Sequence, residues 1–139
     1  MTQIPLEVLK IDTGYHILCR VHILGKEYRM LVDTGASLTM FDIKKYKLIS
    51  NNELINNDKL SSGFGSGLMK SKYIIIDSMR IGDIVIDNYK MMLINLNSIN
   101  DNFRENGYPL IDGILGGDIL MKYKSIIDYN ERELKYKIQ

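Results

Sequence analysis

Residues Met30 to Ser37 read MLVDTGAS, an apolar run that ends on an aspartate and passes straight into Thr-Gly-Ala-Ser. Upstream, Tyr28, Met30 and Val32 recur at every second position, the period of a half-buried strand, so Asp33 stands at a strand's end. Working outward, Gly25-Lys26 marks a tight turn, and Tyr15, Ile17, Cys19, Val21 and Ile23 alternate before it. Ile4, Leu6 and Val8 make an earlier strand-like stretch. An aspartate that activates water needs donors around it. The amides after Asp33, freed to turn by Gly35, and the Ser37 hydroxyl are of that kind. Thr34 carries a hydroxyl that can bond across a symmetry axis.

Asp-Thr-Gly also serves as a plain turn, and the chain holds a second copy at Asp12-Thr13-Gly14. That copy follows EVLKI, whose alternation Lys10 interrupts, and precedes the bulky Tyr15. It lies too close to Asp33 for the two to belong to separate lobes of a duplicated enzyme, and reads as a hairpin turn.

Beyond the Asp33 loop, MFDIKKYKLI is either a short helix or an irregular strand, and SNNELINNDK reads as a polar loop. A glycine-rich LSSGFGSGL follows, from Leu60 to Leu68. KYIIIDSMRI and DIVIDNYKMMLINL form a strand pair about Gly82-Asp83. Asn95 to Pro109 is polar, LIDGILGGDILMKY joins an apolar segment to a helical turn, and SIIDYNERELKYKI reads as a terminal hairpin about Asn130-Glu131. The terminal stretches QIPLEVLK and RELKYKI offer edges that a partner chain can pair with.

With 139 residues, 45% hydrophobic and 25% charged, the chain is of a size and composition that fold as one domain. The net charge of +1, without any basic block, argues against binding nucleic acid by phosphate neutralisation. No apolar run approaches the roughly 20 residues that cross a bilayer, and the first twenty residues contain no signal-peptide core, so no membrane role and a cytoplasmic location are expected. Cys19 has no second cysteine to pair with and reads as a buried small hydrophobe. His16 and His22 are the only histidines; on one strand their Cα atoms stand roughly 20 Å apart and cannot share a metal. They read as ordinary surface or hydrogen-bonded residues. What remains is carboxylate chemistry.

Three elements in order resemble the retropepsin-like aspartic proteases, on the side of their cellular and bacterial members. LVDTGAS resembles the family's catalytic loop, SSGFGSG falls where the family has its flap, and GILGGDILMKY is similar to the late hydrophobic-hydrophobic-Gly segment with its short helix. One departure is that Gly117 and Asp118 follow Gly116, where retroviral members carry an arginine. The resemblance implies an all-β chain, residues 1–139 forming a single acid-protease β-barrel with one short C-terminal helix and a two-fold dimer. It implies Asp33 as the catalytic residue, Thr34, Gly35, Ala36 and Ser37 as support, and Gly63, Phe64 and Gly65 as the substrate-binding flap. Since aspartic proteolysis needs two carboxylates sharing one proton and each chain offers one, the second comes from the other subunit. Neither cofactor nor metal is required; the partners implied are a second copy and an extended peptide or protein. Two rivals fit the same residues: a catalytically silent peptide-binding barrel, and a scaffold whose Asp33 loop is only structural.

Overall fold

The period-two stretches become strands whose alternate side chains fill a barrel, with polar residues outside. The computed structural model describes residues 2–62 and 68–137, and for residues 57–62 and 68–71 the backbone alone. In chain order the strands are β1 (Thr2–Pro5), β2 (Glu7–Ile11), β3 (Gly14–Ile23), β4 (Lys26–Val32) and β5 (Met40–Asp42). A 3-10 turn over Ile43–Lys45 leads into helix α1 (Tyr46–Ile49), and then come β6 (Ile55–Ser62), β7 (Leu68–Ile81) and β8 (Ile84–Ile94). Helix α2 (Asn97–Glu105), β9 (Gly113–Leu115), helix α3 (Gly117–Lys122), β10 (Ile126–Asp128) and β11 (Glu133–Tyr136) complete the order.

Six strands close on themselves in the order β3-β4-β9-β5-β8-β7, the ring completed where His22 and Ile23 of β3 pair with Arg80 and Met79 of β7. β4 runs parallel to β9 and β5 parallel to β8, while the other barrel neighbours are antiparallel. Inside the ring, Cys19, Val21, Ile23, Met30, Phe41, Ile74, Ile76, Ile81 and Met91 are almost fully buried. Burial pushes the Cys19 thiol up to about 12, so it packs as an inert small hydrophobe. β2 and β6 extend the sheet at its two ends, and β1-β11-β10 form a separate three-stranded sheet.

Several local expectations hold. Asp12 and Thr13 form the two-residue turn between β2 and β3, with Asp12 at φ 55. The β3–β4 turn is Leu24-Gly25, one residue earlier than the sequence suggested: both have positive φ, 48° and 75°, which matches the twist of the flanking strands, and Lys26 already pairs with Ile23.

Four expectations are corrected. The first apolar stretch is two strands in two sheets, β1 and β2. Ile55 to Lys59 lies in β6 and is not loop; among the described residues β6 is the outermost strand of its sheet and pairs with β7 alone. The polar span from Asn95 folds largely as α2, so a C-terminal helix alone does not describe the helical content. Its apolar side, Leu96, Ile99 and Phe103, covers Leu9, Ile11 and Leu18 outside the barrel, in a second small core. The helix ends at Gly107, φ 77, whose amide donates to the Arg104 carbonyl at 3.0 Å. Lastly, β11 has both edges taken, by β1 and β10, so it is no free terminal edge. Among the described residues no helix is long and apolar enough to cross a membrane.

Gly116 sits where two backbones touch: a Cβ there would lie 2.6 Å from the Leu38 carbonyl carbon and oxygen and 2.9 Å from the Ala36 carbonyl oxygen. Backbone cannot yield as a flexible side chain does. Gly116→Ala is expected to cost about 1–3 kcal/mol in urea denaturation, whereas Gly14→Ala, facing only the Ile11 carbonyl oxygen at 3.6 Å, should stay within about 0.5 kcal/mol.

Candidate active site

β4 ends at Val32 and its neighbour β9 ends at Leu115, so two chain segments leave the barrel side by side and cross. The Asp33 amide donates to the Leu115 carbonyl (3.0 Å), the Gly117 amide to Ala36 (2.7 Å) and the Asp118 amide to the Ser37 carbonyl (3.1 Å). A second set of bonds passes through Thr39, which is 1% exposed. Its hydroxyl donates to Asp118 Oδ1 (2.8 Å) and accepts from the Gly116 amide (3.0 Å), and its own amide donates to the same Oδ1 (3.0 Å). The Tyr89 hydroxyl donates to Asp118 Oδ2. Burial, then that bond to a carboxylate, raises the Tyr89 phenol far above its usual range, so it remains a donor.

The crossing holds the loop from Asp33 to Ser37 in place. Asp33 is half-buried at the barrel's open end, and its Oδ1 accepts from the Gly35 amide at 2.9 Å, the carboxylate's single hydrogen bond among the described residues. Gly35 has no positive φ; what it supplies is room, since a Cβ would stand 3.3 Å from Asp33 Oδ1. Ala36 turns the loop through its amide bond to the Asp33 carbonyl (3.1 Å). Ser37 acts through its carbonyl, and among the described residues its hydroxyl makes no bond to Asp33 of the kind that the sequence suggested. Thr34 is exposed beside Asp33. Gly63, Phe64 and Gly65 lie outside the described residues; the strands leading towards them pair at Ser62 and Leu68.

A cavity of about 470 Å³ opens at Asp33, with Ile17, Leu31, Val32 and Ile127 as apolar lining and Thr34, Tyr15, His16 and Tyr129 adding polar atoms. Among the described residues Asp33 is the only carboxylate in that lining. Sequence reasoning set His16 aside and missed Asp118's part in the loop. Asp12 is exposed in its turn and does not line this cavity. No cluster of three or more His, Cys, Asp or Glu side chains suited to a metal occurs among the described residues.

Thr39 offers a direct check on the crossing. Thr39→Val keeps the shape but strands the Gly116 amide and removes a donor from Asp118, so a loss of about 3 kcal/mol is expected in chemical denaturation, against about 1 kcal/mol for Thr39→Ser, which keeps the hydroxyl.

The sequence profile of the aspartyl protease family matches residues 19–119, a span from β3 through the Asp33 loop and the crossing into α3. No curated protein sequence matches the chain. Among solved structures, a retropepsin-like aspartic protease from Rickettsia conorii superimposes with a TM-score of 0.60 at 20% identity, covering 96% of this chain and 89% of that one. The retroviral protease-like domain of Ddi1 from Leishmania major superimposes with a TM-score of 0.57 at 14% identity, covering 87% of each chain. With most of the barrel, the crossing and the Asp-Thr-Gly loop inside the matched span, the chain belongs to the aspartyl protease family and has its retropepsin-like fold.

Proposed function

We propose that the protein is an aspartic endopeptidase that works as a two-fold homodimer, each subunit contributing Asp33 to a shared pair. The observation that carries this reading is the isolation of Asp33: a carboxylate presented at an open barrel end, fixed by a backbone amide, in a cavity with no second carboxylate among the described residues. One carboxylate cannot both take a proton from water and give one to the scissile carbonyl. Two facing carboxylates that share a proton can. The ionised member removes a proton from the attacking water while the protonated member donates to the carbonyl oxygen, and the tetrahedral intermediate collapses as a proton passes to the leaving nitrogen. Activity then belongs to the pH window in which the pair holds a single proton.

Three features support a second copy at this face. Thr34 is exposed beside Asp33, free to bond across the axis. Ile126 and Tyr129, next to the cavity, are 48% and 60% exposed, large apolar surface of the sort a partner covers. β10 pairs on one side only, so its other edge is open to a strand. The glycine-rich segment holding Gly63, Phe64 and Gly65 takes the part of a flap over an extended peptide. Neither cofactor nor metal enters these steps.

Asp33→Asn is expected to abolish peptide cleavage, a loss of at least about 10³-fold, with an unchanged melting curve; Asp12→Asn, in a turn where Asn tolerates positive φ, should keep most activity. Cleavage of a mixed peptide library with and without pepstatin reads both. The opposite pattern, Asp12 essential and Asp33 dispensable, sinks the assignment, and tight peptide binding without any cleavage by the unmodified protein points to the silent-barrel alternative.

Specific activity should fall on dilution below the dimer dissociation constant, in step with the dimer fraction seen by analytical ultracentrifugation. A sedimenting monomer that cleaves with concentration-independent specific activity contradicts the shared site.

A further inference from the structure

The β3–β4 ladder ends at the pair Leu18 and Leu31, two residues short of His16 on β3 and of Asp33, which follows the end of β4. Both side chains line the same cavity. His16 is half-buried, with its ring tilted against Phe103 of α2 at a centroid distance of 5.8 Å. Its orientation is therefore set by packing on a helix, and a side chain locked in this way loses little freedom on binding. Yet neither imidazole nitrogen has a hydrogen-bond or ion-pair partner among the described residues. A half-buried ring with idle polar atoms, facing a cavity beside the proposed catalytic carboxylate, is placed to meet a ligand group.

The surroundings decide what that group is. The rim adds the phenol of Tyr15, and Lys10 stands over the Tyr15 ring with Nζ 5.9 Å from its centroid. The lining offers imidazole, phenol and threonine donors, a lysine ammonium stands close by, and Asp33 is the one acid. Deeper in, Ile17, Leu31 and Ile127 suit a short alkyl stem. An alkyl stem ending in a carboxylate matches both parts of the cavity, because its methylenes lie on the apolar lining while its oxygens accept from the donors.

We propose that His16 is a specificity-determining residue that reads an acidic side chain, Glu or Asp, beside the peptide bond to be cut. This rests on the proposed proteolysis by the same site and names the class of peptide it takes. His16 supplies the directed donor, Lys10 a longer-range positive field, and α2 holds the imidazole at a fixed distance from the chemistry.

The test uses the full chain and an equimolar library of ten-residue peptides, randomised at the flanks, with Glu, Gln or Leu fixed at the centre. Cleavage is followed by mass spectrometry with the unmodified protein, and binding by fluorescence anisotropy with the inactive Asp33→Asn protein. Glu peptides should be favoured over Gln peptides by about five-fold in kcat/KM, the size of a partly exposed charge-assisted contact. His16→Ala and His16→Gln should both bring that ratio to about one, and His16→Lys should restore it, which a merely structural histidine would not do. Cleavage with no Glu preference, or with a preference that survives His16→Gln, overturns the assignment and leaves the protease reading standing. Binding that favours Glu through His16 without cleavage upholds it and removes proteolysis. Absence of both cleavage and binding overturns both.

Discussion

The crossing of residues 33–39 over residues 115–118 is the constraint on which the remainder of the molecule depends. A backbone that must present a carboxylate at a barrel's end cannot also be a regular strand, and an irregular loop brings polar groups that need partners. Here the two irregular segments satisfy each other. Thr39, buried and bonded to both Gly116 and Asp118, acts as the rivet, and the missing side chain at Gly116 lets the backbones come close enough for it. β9 slots between β4 and β5, the strands on either side of the Asp33 loop, parallel to the first and antiparallel to the second.

Around that rivet the apolar residues divide into two stores. The larger fills the barrel, and the smaller lies outside it, between the β2–β4 face and α2. The second store includes Leu31 and Ala36 at its margin, so α2 rests directly against the sheet that carries Asp33. Asn100 fastens the helix at its other side, its amide group donating to the Ile111 carbonyl (3.0 Å) and accepting from the Ile111 amide (2.8 Å). That bidentate bond ties the helix to the strand leading into β9, and thus to the crossing.

How much of this is readable in one dimension depends on whether a residue's environment is decided locally. β3, β4, β7 and β8 are legible because one face of each is buried, which imposes alternation. β6 is not, since it borders solvent on its open edge, and nothing forces a pattern on INNDKLSS. The α2 segment carried a real signal in Leu96, Ile99 and Phe103, and in Gly107 as a stop, but its buried Asn100 looks polar on paper although it faces inward. The Asp33 loop itself was legible from its spacing. Asp118 was visible only as a departure from a pattern, because its partner Thr39 lies 79 positions away. His16 was set aside for the same reason: only the folded chain shows that it lines the same cavity as Asp33.

β7 is long enough to have two occupations. From Lys72 to Ile81 it is a stave of the barrel paired with β8, and from Leu68 to Tyr73 it is the arm of a ribbon paired with β6. No hinge separates the two parts, since the strand is continuous through fourteen residues. The barrel's closing seam, at His22 and Ile23 against Arg80 and Met79, is only two pairs wide and belongs to the same strand. Arm and seam are thus the two ends of a single lever: a pull on the ribbon strains the seam, and whatever steadies the ribbon tightens the barrel. Amide protection along Ile74 to Ile81 therefore reports on both ends of the strand at once.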